Sequence, residues 1–275
     1  MWLLDKPEKL ATRHKAAAAW DGASAGNAPP GGTRWCNWLG RAMALVLLIP
    51  GLPMMLLTVF IVRLTSPGPG IYRQMRVGLG GRHFVMYKIR TMGQDAEART
   101  GPVWATLHDP RVTKVGRIVR RLHLDELPQL FNVIRGDMAL VGPRPERPEF
   151  TQRLGREIPG YLGRLALRPG ITGLAQINLP ADTDLDSVRR KLVLDLEYIA
   201  QSGPWLDARI LLCTSLRMFG LNGKAARGLM QLRREPRIGE PDAPAIIETP
   251  APVAAPQVDN ASHVNAGFSA SPTPA

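Results

Sequence analysis

Ala42-Met43-Ala44-Leu45-Val46-Leu47-Leu48-Ile49-Pro50-Gly51-Leu52-Pro53-Met54-Met55-Leu56-Leu57-Thr58-Val59-Phe60-Ile61-Val62 is a run of 21 residues without one charge. A straight helix of that length rises about 32 Å, enough to cross a hydrocarbon core of about 30 Å. Pro50, Gly51 and Pro53 interrupt its middle. Each proline removes a helical N–H and crowds the preceding turn, so a bend is expected here. The arms Ala42–Ile49 and Met54–Val62 then each reach about half the core thickness. Arg34 and Arg41 flank one end, and Arg63, Arg73, Arg76 and Arg82 follow the other with no acid among them. Positive charge on both flanks favours two cytoplasmic ends. A re-entrant helix–break–helix, dipping into one leaflet, meets both conditions. A kinked spanning helix is the alternative, tolerable where neighbours and water satisfy the freed backbone. A secretory signal is excluded by the long positive lead-in and by Ser66-Pro67-Gly68-Pro69-Gly70, where a cleavage site would fall.

Working outward, the 275 residues divide into a flexible lead-in (1–33), the membrane helix (34–65), a patterned region (66–234) and a Pro/Ala-rich tail (235–275) read as disordered. A hydrophobic fraction of 45% is enough to build a core. The net charge of +12 points to phosphates, nucleic acid or anionic lipid as partners. Two cysteines, Cys36 and Cys213, exclude a disulfide framework and a four-cysteine zinc site. The chemistry is left to carboxylates, hydroxyls and basic groups. Nucleic acid comes last among the partners, because no recognition motif or basic–aromatic stripe supports it.

In the patterned region, Gly70–Met92 reads as a β-hairpin turning at Gly78-Leu79-Gly80-Gly81. These glycines lack the Gly-Lys-Ser/Thr ending of a phosphate loop. Asp109-Pro110 starts a turn, and Thr113 is placed to cap a helix carrying Val115, Ile118, Val119 and Leu122. Arg117, Arg120 and Arg121 on that helix are either a solvated face or an anion site.

His123-Leu124-Asp125-Glu126-Leu127-Pro128-Gln129 carries the chemistry. One reading makes Asp125 the N-cap of a helix ending at about Arg135 before Gly136, with Glu126 complementing the dipole. The other keeps Asp125 ionised as a nucleophile toward phosphorus, with Glu126 holding Mg²⁺ beside substrate phosphate. Val141-Gly142-Pro143-Arg144-Pro145-Glu146 fixes one guanidinium between two prolines, as a turn or as a pre-organised phosphate clamp. Arg168-Pro169-Gly170-Ile171-Thr172-Gly173 repeats that pattern. Asp182-Thr183-Asp184 matches a metal-binding Asp-x-Asp, but it precedes the stripe Leu185, Val188, Leu192, Leu196 and Ile199, which needs a cap. A further helix, Pro204–Phe219, has an apolar side suited to core or membrane interface.

Taken together, Ser66–Gly70, Tyr87-Lys88-Ile89-Arg90-Thr91-Met92, Asp109–Thr113, Asp125–Leu130, Gly142–Pro145 and Arg168–Gly173 resemble the bacterial sugar transferases, the monotopic phosphoglycosyl transferases, in the family's motif order from about Arg41 to Phe219. The resemblance implies an α/β fold, helix-rich with a short β-hairpin, on a re-entrant helix at the cytoplasmic face of the bacterial inner membrane. It implies transfer of a sugar phosphate from a UDP-sugar to undecaprenyl phosphate with Mg²⁺, releasing UMP, as the first membrane step of glycan or exopolysaccharide assembly. By carry-over, Asp125 is the nucleophile, Glu126 the Mg²⁺ ligand and Arg144 a phosphate holder. Lys88, Arg90, Arg120, Arg121 and Arg168 complete the expected phosphate-binding set, and Pro50 or Pro53 is the helix break. Membrane lipid is an implied partner, and a homo-oligomer stays open. Two departures stand out. The chain has one apolar segment where many members have several, and Ile177-Asn178-Leu179-Pro180 replaces the Asn-Gly-Arg that often follows the residue at Gln176. The competing readings are an Asp-x-Asp glycosyltransferase using Asp182 and Asp184, and a non-catalytic membrane scaffold.

Overall fold

The computed structural model describes residues 33–94, 96, 109–218 and 220–236. The expected lead-in, the Pro/Ala tail from residue 237, and Phe219 lie outside the described residues.

Helix α1 (Thr33–Thr65) contains the whole apolar run, and its helical assignment continues through Pro50 and Pro53. Neither proline has an N–H to give the carbonyls of Val46 and Ile49, so these two carbonyls lose their usual helical donor near the midpoint of the helix. One stripe along it is buried: Ala44, Gly51, Met55, Thr58 and Val62, with Leu48 half-buried. The intervals of three and four keep these residues on one helical face. Gly51 faces Leu127 and Leu130, so the segment around the acidic pair packs directly on the helix midpoint, at a distance where a Cβ would make ordinary contact (3.7 Å to each). Among the described residues, most of the other side chains of α1, including Leu45, Val46, Ile49, Leu56, Leu57, Phe60 and Leu64, are exposed.

The hairpin forms from β1 (Ile71–Val77) and β2 (His83–Ile89), antiparallel with Ile71 opposite Ile89 and Val77 opposite His83. Its turn closes with the Gly78 N–H donating to the Arg82 carbonyl at 2.7 Å, and Gly80 and Gly81 both take positive φ. These are conformations in which a Cβ would be strained, so the glycines serve the turn. Helix α2 (Lys114–Arg121) starts as expected: the Thr113 hydroxyl accepts from the Gly116 N–H at 2.9 Å.

The next segment departs from expectation. Asp125 does not cap a helix. His123 adopts a left-handed conformation (φ 55°) that turns the chain after α2, and Leu124–Glu126 forms one 3-10 turn. Helix α3 begins only at Gln129 and runs to Arg135, with Pro128 at the cap position and no side-chain cap bond. The Asp125 and Glu126 side chains are thereby released from capping. The expected end of α3 is found: Gly136, at φ 88°, closes it by donating to the Asn132 and Val133 carbonyls.

A second sheet, absent from the sequence reading, pairs β3 (Ala139–Val141) with β4 (Gly170–Thr172) in parallel. It presses the loop after β3 against the loop before β4. The Gly170 N–H donates to the Pro143 carbonyl at 2.9 Å, and a Cβ on Gly142 would lie 2.4 Å from the Arg168 carbonyl. Helices α4 (Pro148–Glu157), α5 (Leu174–Asn178), α6 (Leu185–Gln201), α7 (Pro204–Met218) and α8 (Gly223–Leu229) complete the described chain. The main core joins Ala44 of α1 to Phe84, Leu130, Val133, Leu140 and Ile210. A second cluster packs Met55 and Val62 of α1 against Ile89 and Val119. The apolar helix is thus part of the hydrophobic core along both of its halves.

Candidate active site

The 3-10 turn presents two adjacent carboxylates beside α1, because Leu124 and Leu127 on either side of them pack into the cluster that holds Met55 and Val62. Strand β2 brings Lys88, and the rigid loop after β3 brings Arg144. The Lys88 Nζ donates to Glu126 Oε1 at 3.5 Å and the Arg144 Nη2 to the same oxygen at 2.8 Å. Arg120 comes from the inner side of α2, its Nε donating to Thr91 Oγ1 at 2.8 Å. Three cations therefore face two carboxylates, an excess of positive charge suited to a polyanionic ligand.

Electrostatics separates the two acids. Burial opposes the charge on Glu126, but Arg144 and Lys88 outweigh it and hold its carboxyl down near 2. Asp125 is pushed up from the usual aspartate range, first by burial, against the pull of Lys88, with Glu126 adding to the rise. Lys88 is pulled down to about 8 by burial and then by Arg144. Glu126 is a fixed anion locked to two cations; Asp125 is the more basic of the two carboxylates.

Among the expected phosphate-binding cations, the structure brings Lys88, Arg120 and Arg144 together and separates the other three. Arg90 is buried elsewhere: its Nη2 donates to the Ser66 carbonyl and hydroxyl, both at 2.8 Å, and its Nη1 to the Pro67 carbonyl. It ties the chain leaving α1 to the end of β2. Arg168 donates from Nε to the Gly136 carbonyl at 2.9 Å, next to Arg41 of α1. It serves the C-terminal end of α3, where carbonyls lack intrahelical partners. Arg121 lies exposed on the outer side of α2.

A buried set behind Arg144 escaped the sequence reading. The Arg164 Nη2 donates to the Arg144 carbonyl at 2.9 Å and to Asp195 Oδ2 at 2.7 Å, while its Nη1 donates to the Tyr161 hydroxyl at 2.8 Å. Arg76 donates to the Pro145 carbonyl at 2.9 Å from the other side. The clamp loop is held by its backbone from two directions, leaving the Arg144 side chain for Glu126.

Asp182-Thr183-Asp184 is structural, as its position before an apolar stripe suggested. Asp184 caps α6 in a capping box with Ser187, whose N–H donates to Asp184 Oδ1 at 2.7 Å. Asp182 is paired with Lys191, both side chains buried. No group of three or more His, Cys, Asp or Glu side chains converges among the described residues. An all-protein metal cage is therefore not built there. Mg²⁺ has a different requirement: one or two carboxylates, with substrate phosphate oxygens and water filling the rest. Asp125 and Glu126 fit it, since both contacts to Glu126 fall on Oε1.

Residues 33–220 match the family model described as bacterial sugar transferase. The chain belongs to the bacterial sugar transferase family. Over 173 residues it is 46% identical to the UDP-N-acetylgalactosamine-undecaprenyl-phosphate N-acetylgalactosaminephosphotransferase of Aeromonas hydrophila, covering 62% of this chain and 41% of that protein. It is 53% identical over 131 residues to a putative undecaprenyl-phosphate N-acetylgalactosaminyl 1-phosphate transferase of Bacillus subtilis (48% and 69% covered). It is 44% identical over 170 residues to the UDP-glucose:undecaprenyl-phosphate glucose-1-phosphate transferase of Caulobacter vibrioides (59% and 61% covered). The chain thus spans less than half of the Aeromonas relative and a little over three fifths of the Caulobacter one.

Proposed function

We propose that this sugar transferase family member moves a sugar phosphate from a UDP-sugar to undecaprenyl phosphate through a covalent Asp125 intermediate. One observation carries the reading: Asp125 is a buried carboxylate, released from capping and raised in basicity, beside a locked Glu126 and under three cations. An Asp125 oxygen attacks the sugar-side phosphorus of the UDP-sugar. The bond from that phosphorus to the bridging oxygen breaks, and UMP leaves with the oxygen. An oxygen of undecaprenyl phosphate then attacks the same phosphorus and displaces Asp125, giving the undecaprenyl diphosphate sugar. Lys88, Arg120 and Arg144 hold the phosphate oxygens in both steps and offset the charge that builds on the phosphoryl group. Mg²⁺, held by Glu126 with Asp125 adjacent, would neutralise further phosphate charge when bound. The product starts a lipid-linked glycan.

We infer that α1 is re-entrant rather than spanning, with both ends and the catalytic site at the cytoplasmic face of the inner membrane. Trp38–Thr65 is apolar and long enough to cross a bilayer. Yet its buried stripe runs from Ala44 to Val62, so the rest of the protein lies against both halves of the helix. An upright spanning helix would drag the elements packed on it, including α2 with exposed Lys114, Arg117 and Arg121, into hydrocarbon. Shallow entry, with Pro50 and Pro53 at the deepest point, avoids that cost.

A UDP-linked hexose or N-acetylhexosamine as donor is supported by relatives named for glucose and for N-acetylgalactosamine, which match comparably, at 44% and 46% identity. The test is the nucleotide released when detergent-solubilised protein meets Mg²⁺, undecaprenyl phosphate and a panel of UDP-sugars. UMP, with a phosphosugar adduct on Asp125 by intact mass and peptide mapping, is the expected result. UDP as the product, or no nucleotide from folded protein with any sugar, overturns it.

A further inference from the structure

Helix α2 has two faces with separate tasks. Gly116 and Val119 are buried, and Val115 and Arg120 are half-buried. At 3.6 residues per turn these four lie on one side. Val119 and Val115 pack with Met55 and Val62 of α1, while Arg120 reaches Thr91 and its charge acts on Asp125. The opposite side carries Lys114, Arg117, Ile118 and Arg121, continued by Leu122 in the next turn, all exposed. Ile118 is 60% exposed and Leu122 51%, unusual for two large aliphatics adjoining cations on so short a helix. The exposed apolar side of the second half of α1, with Leu56, Leu57, Phe60 and Ile61, belongs to the helix on which α2 is packed. Aliphatics with lysine and arginine on one arc, attached to an apolar membrane helix, make the composition of a helix that lies in a lipid headgroup layer.

We propose that the outer face of α2 is an anionic lipid surface site: Ile118 and Leu122 enter the acyl boundary while Lys114, Arg117 and Arg121 pair with headgroup phosphates. The helix thereby sets the height of Arg120 and Asp125 above the bilayer, which decides how the phosphate of the lipid substrate meets the nucleophile. This rests on the membrane placement of α1 given above. Because α1 remains the anchor, variants in α2 stay in the vesicle and report only the local contact.

Two readouts separate this proposal from the function itself. First, an environment-sensitive fluorophore on Leu122→Cys, in a Cys36→Ser background of the full chain, reports burial of α2 without turnover. Its emission shifts to the blue in phosphatidylcholine vesicles containing phosphatidylglycerol, relative to phosphatidylcholine alone. Adding Lys114→Gln with Arg117→Gln, or raising the salt, removes at least half of that shift. Second, turnover of the wild-type chain at fixed undecaprenyl phosphate rises several-fold with phosphatidylglycerol. The Lys114→Gln/Arg117→Gln variant loses that rise and matches wild type in detergent micelles. Ile118→Ser with Leu122→Ser lowers turnover in both vesicle types and leaves the micelle rate unchanged. A fluorophore shift equal with and without Lys114 and Arg117 overturns the proposal, as does an anionic-lipid response that survives their loss. An absence of UMP in micelles from every protein, with the fluorescence pattern intact, counts against the function and leaves the surface standing.

Discussion

The chain holds two short acidic motifs, Asp125-Glu126 and Asp182-Thr183-Asp184, and the fold uses them in opposite ways. Asp184 satisfies the start of α6 from an exposed position, and Asp182 is neutralised by Lys191. Each carboxylate there is consumed by a local structural need. Asp125 sits in a turn that needs no cap from it; Lys88 and Arg144 bond its neighbour, Glu126, Arg120 bonds Thr91, and all three act on Asp125 as charges. Two acids next to each other therefore say little by themselves. What separates a structural acid from a reactive one is whether the surrounding backbone and side chains already consume it.

Replacing the two motifs in parallel tests that distinction, and the largest effect is expected at Asp125. Asp125→Asn removes the attacking oxygen's charge while keeping its size, so turnover should fall by about 10³–10⁵-fold and the covalent phosphosugar should vanish from intact-mass spectra. Asp182→Asn should leave the nucleotide product and the adduct unchanged. Equal losses from both would show that the motifs are not different in kind. Next comes Arg144→Ala, which strips Glu126 of its shorter contact and the phosphoryl group of a fixed guanidinium. A loss of roughly 10²–10³-fold in kcat/KM is expected, with Arg144→Lys restoring only part because an ammonium cannot reproduce the planar fork. An Arg144→Ala enzyme with wild-type kinetics would leave it a loop-forming arginine.

Local signals were legible wherever short-range chemistry decides the outcome. The Gly78–Gly81 turn, the Thr113 cap, the Gly136 stop and the Asp184 cap all follow from residue type and the next few positions. The capping alternative for Asp125 could not be settled that way, because it turns on His123 taking a left-handed conformation that a non-glycine residue rarely adopts. Arginines were least legible. Arg90, Arg144, Arg164 and Arg168 all lie in basic or proline-flanked stretches, yet one clamps Glu126, one braces the clamp and two tie down backbone elsewhere. A long side chain shows its chemistry in the sequence but not its direction, and the direction depends on the β3–β4 pairing and on which loops that pairing brings together.

The pH profile sharpens the contrast inside the catalytic pair. Lys88 must carry charge to hold phosphate, and its ammonium, lowered to about 8 by burial and Arg144, loses its proton as pH rises through that value. Activity should fall about tenfold per pH unit on the alkaline side, and Lys88→Arg should move that limb upward because a guanidinium stays charged. On the acid side Asp125 must be ionised to attack. Its carboxyl is raised by burial, so activity should fail as pH drops through a value above the ordinary aspartate range. Glu126, held near 2, should contribute nothing to that limb. A profile flat from pH 7 to 10 would remove the Lys88 assignment, and an acid limb no higher than the ordinary aspartate range would remove that of Asp125.

The smallest effect is expected from Asp184→Ala. It deletes the acceptor for the Ser187 N–H and half of the capping box, at a helix whose Val188 and Leu192 are buried against Phe150, Leu154 and Tyr161. The loss is confined to one exposed helix end, so the melting temperature of the solubilised protein should drop by only a few degrees. The UMP-forming rate and both pH limbs should not move, because α6 meets the site through Asp195, bonded to Arg164, and through Tyr198, bonded to the Val141 carbonyl, three or more turns further along the helix. Asp184→Asn, which keeps a capping oxygen, should recover most of the lost stability. If instead Asp184→Ala lowers the rate without lowering the melting temperature, the second acidic motif takes part in chemistry. The division between consumed and available carboxylates would then have to be drawn elsewhere.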